Sequence, residues 1–160
     1  MSSLTHLDED GRVRMVDVSE KRATARDAVA RGVIRMQPET LALITGQKTK
    51  KGNVLETARI AGIMAAKRTA ELIPMCHPVS LTHVQVDFFP DPDGHSIRIE
   101  AVARLVGQTG VEMEALTAVS IAALTIYDMC KSYDRAMTIS DVYLLKKSGG
   151  RSGTYVRQSP

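Results

Sequence analysis

The most strongly patterned part of the chain is the stretch from Gln108 to Lys131, whose middle is almost entirely apolar or small. Larger side chains recur there at the spacing of one helix face, at Leu116, Val119, Ala123, Ile126 and Cys130. Alanines on the flanking faces leave room for neighbouring elements to pack closely. Thr109 followed three residues later by Glu112 has the pattern of a capping box at a helix start. The pattern predicts one long, deeply buried helix.

Shorter patterns earlier in the chain predict a strand followed by two further helices. Residues 22–36 are ambiguous, but the alternation of valine and arginine in their second half favours a strand. A short helix is expected from Pro38 to Ile44, with proline in its first turn. Asn53 and Glu56 form a second capping-box pattern, which opens a helix predicted to run to about Ile73.

Three more strands complete the predicted elements. Alternating apolar and polar residues favour strands from Leu81 to Phe89 and from Ser96 to Val106, with a turn at Asp93-Gly94 between them. A last strand is expected from Ala136 to Leu145. The order of strand, helices, two hairpin strands, helix and strand is that of an α+β, ferredoxin-like split β-α-β sandwich. We expect an antiparallel sheet with helices on one face and a second copy over the other face.

Composition divides the chain into three parts. Residues 1–18 are polar and aperiodic, and we expect an N-terminal arm that orders only against something else. A single domain is expected over residues 19–147. Residues 148–160 are predicted to be a flexible basic C-terminal tail. Its glycines lack the spacing of a Walker loop and precede no helical pattern.

Charge and composition narrow the class of ligand. The 160 residues carry a net charge of +3, with cations gathered at 48–51, 67–68 and 146–151, which favours a polyanionic ligand. The chain has no Trp, two Phe and four Tyr, so it lacks the stacking platforms of single-strand nucleic-acid binders. Two cysteines and the absence of a signal-like or membrane-length apolar segment predict a cytoplasmic protein without a membrane partner.

Charged residues at the two ends of the long helix are candidate site residues. Glu112 and Glu114 fall in its first turn, and Asp128 and Lys131 share a face in its last turn. These charges either complement the helix dipole or act on a ligand. Glu114 and Asp128 are fourteen residues apart, which corresponds to about 21 Å along one helix. One small substrate cannot touch both, so a site that uses both must join two subunits.

Two loops carry further candidates. Lys51 stands just before a predicted helix start, where it belongs either to a solvated lysine loop or to an anion site. Lys67 lies later in the same predicted helix among alanines. Cys76 and His77 sit in a link stiffened by a proline on each side, which would aim His77. No second Cys/His pair accompanies them, so a metal site is not expected.

Four segments together resemble one known family, the molybdenum cofactor biosynthesis protein C family, whose members are cyclic pyranopterin monophosphate synthases. They are MVDVSEK at 15–21, KGNVLETARIAGIMAAKRTAELIPMCHP at 51–78, GQTGVEMEALTAVSIAALTIYDMCK at 107–131 and LLKKSGGRSG at 144–153. The resemblance implies a lyase that converts 3′,8-cyclo-7,8-dihydroguanosine triphosphate to cyclic pyranopterin monophosphate and diphosphate. It also implies a homohexamer, a trimer of dimers, with its sites between subunits.

The resemblance also implies roles for individual residues. Asp128 would be the catalytic carboxylate, with Lys51 and Lys131 as its essential partners, while the sequence leaves open which subunit supplies each residue. Substrate contacts are expected from Met75, Cys76, His77, Met113 and Glu114, with Arg26, Lys67, Glu112 and Lys147 around them. We expect the two catalytic lysines to transfer protons with pKa values lowered by neighbouring cations, and Asp128 to set the charge state of Lys131. Lys67, Lys147 and Arg151 are expected to serve the phosphates. No cofactor is expected, apart from a magnesium ion that could accompany the diphosphate.

Two other classes of protein remain open from the residues themselves. A nucleotide- or RNA-binding module on a ferredoxin-like sheet would need exposed aromatic residues on central strands, for which Phe88, Phe89 and Tyr143 are the main candidates. A purely structural oligomer would explain the alanines of the long helix. It would not explain cations gathered at three separate places.

Overall fold

The computed structural model describes residues 6–158, and it has the predicted α+β architecture. The elements in chain order are β1 (Thr24–Arg35), α1 (Pro38–Thr45), α2 (Val54–Lys67), α3 (Thr69–Leu72), β2 (His83–Asp91), β3 (Ser96–Gly107), α4 (Glu112–Cys130), β4 (Thr138–Ser148) and β5 (Tyr155–Val156). One antiparallel sheet has the strand order β2-β3-β1-β4-β5. Its first four strands have the order of a ferredoxin-like split β-α-β fold, so this prediction is confirmed.

Side-chain alternation explains why the sheet has one dry face. In β1 the side chains of Ala28, Ala30 and Ile34 are buried, and alternate residues of β3 are buried beside them. The opposite face carries charged pairs between strands, including Arg31 with Glu100 at 2.7 Å. An antiparallel sheet with one face on the core and one partly solvated shows this alternation. The helices lie on the dry face, as predicted.

Helix α4 is the core of the domain. Ten of its nineteen residues are buried, and it packs against both the sheet and α2. The two helices approach closely at Gly62, where an added Cβ would lie 2.9 Å from the carbonyl oxygen of Ala118. On the sheet side, a Cβ at Gly32 would lie 2.6 Å from Val119 Cγ1. Although α4 is long and apolar enough to cross a membrane, its position makes it the core helix of the domain.

The predicted capping box at the start of α4 is wrong. The helix begins at Glu112 with Val111 at its N-cap, and no side chain caps it. The carboxylate of Glu112 lies over Gly110, so close that a Cβ there would be 2.0 Å from Glu112 Oε2. Because Glu112 turns towards this glycine, it does not form the reciprocal bond with Thr109 that a capping box requires.

The second capping prediction is half confirmed. Asn53 Oδ1 accepts a hydrogen bond from the Glu56 amide at 3.1 Å, whereas the Glu56 carboxylate bonds Arg59 instead. The helix that follows is shorter than predicted, because Arg68 leaves helical geometry at φ −114° and ψ 14°. A separate one-turn helix, α3, completes the predicted span.

Both ends of the described chain contain short paired segments. Near the N-terminus, Leu7 bridges to Val13, and the Asp8 carboxylate accepts two backbone amides of the turn between them. Near the C-terminus, β4 continues to Ser148, and β5, which the sequence did not predict, pairs with it. Residues 1–5 of the predicted arm and residues 159–160 of the predicted tail lie outside the described residues.

Candidate active site

The link between α3 and β2 meets the first turn of α4 at a cavity of about 340 Å³. Six of the residues that the family resemblance places near the substrate line this cavity, namely Met75, Cys76, His77, Glu112, Met113 and Glu114. The two prolines of the link, Pro74 and Pro78, restrict its backbone conformation. Val16 and Val18 of the N-terminal segment lie across the same cavity. The fold thus brings residues from three separate segments together at the N-terminal end of α4.

Glu114 is the most perturbed ionisable group of this cavity. Its residue is 3% exposed, and no arginine, lysine or histidine forms an ion pair with it within residues 6–158. Burial raises its pKa to about 7, and the neighbouring Glu112 adds to the increase. Burial and the same two carboxylates also raise the pKa of the Cys76 thiol. A carboxyl group with a pKa near neutrality can both give and take a proton in a reaction.

A larger cavity of about 780 Å³ adjoins the first one and is more basic. Both cavities share Lys21, Thr109, Gly110 and Glu112. The larger cavity is also lined by Arg22 and Arg26 and by the turn that contains Arg151. Several cations around one open cavity suit an anionic group such as a phosphate chain.

The turn after β4 holds Arg26 in this cavity. Gly149 and Gly150 have φ values of +92° and +74°, which disfavour other residues. A Cβ at Gly150 would lie 1.9 Å from Arg26 Nη1, so the turn rests directly on the guanidinium. On its other side Arg26 donates to the carbonyl oxygens of Gly107 and Gln108, both at 3.3 Å. These contacts fix Arg26 between the turn and the segment that enters α4.

The other end of α4 carries a second cluster, made of Lys51, Asp128 and Lys131. Lys131 Nζ lies 2.6 Å from Asp128 Oδ1, and Lys51 Nζ donates to the Asp128 carbonyl oxygen at 3.0 Å. That carbonyl belongs to the last turn of α4, where no backbone amide of the helix reaches it. The sequence left open which subunit supplies each of these residues, and here the same chain supplies both Lys51 and Asp128. The loop before α2 is what brings Lys51 there.

The expected lowering of the lysine pKa values is wrong for Lys131. The hydrogen bond that Lys131 donates to the Asp128 carboxylate raises the pKa of Lys131, and the same contact lowers the pKa of Asp128. The nearest charged group to this ammonium is a carboxylate rather than a cation. The Asp128 carboxylate therefore favours the charged form of Lys131.

Two expected site residues lie to the side of the main cavities. Lys67 is exposed and lines a small cavity of about 120 Å³ that also reaches Glu114. Lys147 contacts the hydroxyl of Ser152 in the turn after β4. Within residues 6–158, no three His, Cys, Asp or Glu side chains gather as a metal site would require.

Sequence reasoning missed several residues that line the cavities, including Val16, Val18, Lys21 and Arg22. Lys21 belongs to one of the segments that carry the family resemblance, which is the signal that could have identified it. The two valines belong to the same segment, but their apolar side chains carry no chemical signal of a site.

The aromatic residues of the sheet do not form free stacking platforms. Arg98 covers the Phe89 ring at 4.2 Å, and Arg157 covers the Tyr143 ring at 4.5 Å. Phe88 packs against the hydrophobic core and under Arg59. A base-stacking surface of the kind found in RNA-binding sheets is therefore absent from these three positions.

A buried carboxyl group with a pKa near 7, set beside a basic cavity, is the arrangement of an enzyme that moves protons on a small anionic substrate. The chain belongs to the MoaC family, whose model matches residues 15–150. It is 68% identical over 156 residues to the cyclic pyranopterin monophosphate synthase of Desulforapulum autotrophicum, covering 98% of this chain and 96% of that protein. The synthase of Desulfatibacillum aliphaticivorans is 66% identical over 158 residues, covering 99% of each chain. That of Chloroflexus aurantiacus is 64% identical over 156 residues, covering 98% of this chain and 96% of that protein.

Proposed function

We propose that this chain is a cyclic pyranopterin monophosphate synthase, a lyase of molybdenum cofactor biosynthesis. The observation that carries this function is the identity of 68% with such a synthase over 98% of the chain. The substrate is a nucleotide derivative, 3′,8-cyclo-7,8-dihydroguanosine triphosphate, and the products are cyclic pyranopterin monophosphate and diphosphate. The reaction rearranges a purine-derived ring and then closes a cyclic phosphate, so proton transfer and charge neutralisation are its main demands.

The two adjoining cavities divide the substrate between them in this proposal. The triphosphate lies in the larger cavity, where Arg26 and Arg151 neutralise charge that builds on the departing diphosphate. The purine-derived ring lies in the smaller cavity beside His77, Met113 and Glu114. Glu114, with its pKa of about 7, is suited to exchange protons with the ring.

Lys51, Asp128 and Lys131 supply the other catalytic groups in this proposal. Lys131 is held as an ammonium by Asp128 and acts as a proton donor. Turnover of the cyclised triphosphate, followed by chromatography of the products, tests these roles. We expect Lys51→Ala and Lys131→Ala to lower kcat by about 10²-fold or more. The exposed Lys48→Ala is the matched control, and normal turnover in either test variant rejects the role of that lysine.

A structural contribution of Lys51 must be separated from a chemical one, because its ammonium also caps the end of α4. Lys51→Arg keeps a donor for the Asp128 carbonyl but cannot lose its charge. We expect this variant to unfold at the temperature of the parent protein and yet to turn over slowly. Full activity in Lys51→Arg would show that Lys51 contributes only its positive charge and its hydrogen bond to the end of α4, and transfers no proton.

Because the two clusters lie at opposite ends of α4, the proposed site needs a second copy of the chain. Glu114 and Asp128 are fourteen residues apart on one helix, or about 21 Å. Between these ends the helical layer exposes Ile60, Met64 and Leu124, which are 58%, 47% and 53% exposed. Two copies that pack antiparallel through this apolar surface would bring the lysine end of one α4 to the carboxylate end of the other. Such dimers, three to a homohexamer, are the proposed assembly.

Mixed oligomers test the shared site. Lys131→Ala and His77→Ala are co-expressed with different affinity tags, and the doubly tagged oligomer is purified. If each site uses both copies, a mixed dimer contains one intact site and has about half the activity per dimer of the parent protein. A doubly tagged oligomer without activity rejects the shared site. Failure to form any doubly tagged oligomer rejects the proposed self-association.

A further inference from the structure

The N-terminal segment from Val16 to Ser19 lies across the smaller cavity and is tied down at several points. Val16 and Val18 line the cavity beside His77. The Asp17 carboxylate accepts the amide and the hydroxyl of Ser19, at 2.9 and 2.6 Å. Gln108 donates to the Ser19 carbonyl at 3.3 Å. On the C-terminal side of Val16, the segment is therefore held to the loop that precedes α4.

One contact joins this segment to the histidine ring. His77 Nε2 lies 2.6 Å from the carbonyl oxygen of Val16. A carbonyl oxygen only accepts hydrogen bonds, so Nε2 must carry the proton. In the neutral ring this leaves Nδ1 as the acceptor. Nδ1 makes no hydrogen bond within residues 6–158, whereas Nε2 is engaged.

We propose that the Val16 carbonyl is a positioning group that holds His77 in its Nε2–H tautomer and presents Nδ1 to the substrate as a proton acceptor. This inference rests on the proposed function, because it assigns His77 a part in that reaction. When Nδ1 takes a proton from the substrate, the ring becomes an imidazolium ion, and its Nε2–H bond to Val16 becomes charge-assisted and stronger. Return of that proton to the substrate restores the neutral ring. The segment therefore stabilises both states of the histidine without exchanging a proton itself.

The geometry distinguishes this role from that of a simple cover over the cavity. A cover needs only bulk, which Val16 and Val18 supply through their side chains. The tautomer depends instead on a backbone oxygen at hydrogen-bonding distance from one ring nitrogen. In a chain without this contact, either nitrogen could carry the proton, and the fraction of rings with a free Nδ1 would fall.

Nitrogen-15 shifts of the His77 ring in the full-length protein test the tautomer directly. We expect the neutral ring to show a protonated Nε2 and an unprotonated Nδ1. A ring protonated on Nδ1 would overturn the proposal. This measurement requires no substrate, so its result stands apart from the proposed function, which fails separately if the parent protein does not convert the cyclised triphosphate.

Two isosteric variants separate positioning from chemistry. The amide nitrogen of His77→Gln can occupy the place of Nε2, whereas that of His77→Asn matches the place of Nδ1. Hydrogen exchange at the Ser19 and Lys21 amides, both of which are hydrogen-bonded, reports on the segment. We expect His77→Gln to keep the parent exchange rates, and His77→Asn to exchange about tenfold faster there. Both variants should lose about 10²-fold or more in kcat, because neither has a basic Nδ1.

The exposed histidine His83 provides the matched control, because it lies on β2 outside the cavities. His83→Gln should change neither the exchange rates nor kcat. Equal exchange in His77→Gln and His77→Asn would show that the Val16 contact does not hold the segment. Full activity in His77→Gln would show that Nδ1 takes no proton. Either result would overturn the proposal.

Discussion

Replacing the buried Glu114 by glutamine should stabilise the protein at alkaline pH while removing activity. The pKa of Glu114 is raised by burial from 4.5 to about 7. Because the folded pKa lies above the unfolded one, the folded state binds more protons between these values. Stability therefore falls as pH rises through this window and stays at its lower level above it. Glutamine has a similar shape and no charge, so the variant avoids this loss.

The magnitude follows from the size of the shift. At about 1.4 kcal/mol per pKa unit, a carboxyl group with these two pKa values loses about 2.5 kcal/mol of stability between about pH 5 and about pH 8. Urea unfolding of the parent and of Glu114→Gln at both pH values, at one protein concentration, measures the difference. We expect the variant to gain about 2.5 kcal/mol relative to the parent over this range.

The exposed Glu39 in the first turn of α1 provides the control for this experiment. Glu39→Gln removes an exposed carboxylate and leaves the buried Glu114 in place. The stability of this variant should therefore change between the two pH values as much as that of the parent protein does. The reasoning is refuted if Glu114→Gln and the parent protein show the same pH dependence. In that case the Glu114 carboxylate would be solvated or paired in solution.

Three further predictions concern packing, capping and thiol chemistry. Gly62→Val should destabilise the domain by about 1–3 kcal/mol in urea unfolding, because even a Cβ lies 2.9 Å from the Ala118 carbonyl oxygen, and equal stability would contradict the close helix contact. Asn53→Ala should cost about 1 kcal/mol through loss of the α2 cap, and Asn53→Asp should restore most of it. Cys130 is buried with a pKa raised to about 11, so at mildly alkaline pH a thiol reagent should modify Cys76 first, and Cys76→Ser should abolish the rapid phase.

Local patterns were sufficient to predict the element order because each main element carries its own periodicity. The alternation of β3 and the helical spacing in α4 both describe a buried face, and each element forms where its pattern lies. The strand order of the sheet then followed from the short hairpin and the two helical crossovers. The close approach of α2 and α4 agrees with the small residues on the flanking faces of α4.

Features that depend on contacts between distant residues could not be predicted in this way. Thr109 and Glu112 have the spacing of a capping box, but the Glu112 carboxylate turns over Gly110 instead. Lys51 contacts Asp128 at the end of α4 although the two residues are 77 positions apart in sequence, because the loop before α2 folds against that end of the helix. The contact between Val16 and His77 uses a backbone oxygen, which leaves no trace in the types of side chain. The family resemblance indicated which residues matter, and the tertiary structure shows which of them lie together.

Helix α4 sets the relative positions of the two clusters, because one lies at each of its ends. A tilt of about 5° about one end of its span of about 21 Å displaces the other end by about 2 Å. A misplacement of about 1 Å can lower a reaction rate by about 10²-fold. At Gly62 and Gly32, α4 is in close contact with α2 on one side and with the sheet on the other. This close packing at the two glycines keeps the angle of α4 fixed. Precision at both ends of the helix is thus set in its middle, far from any reacting atom.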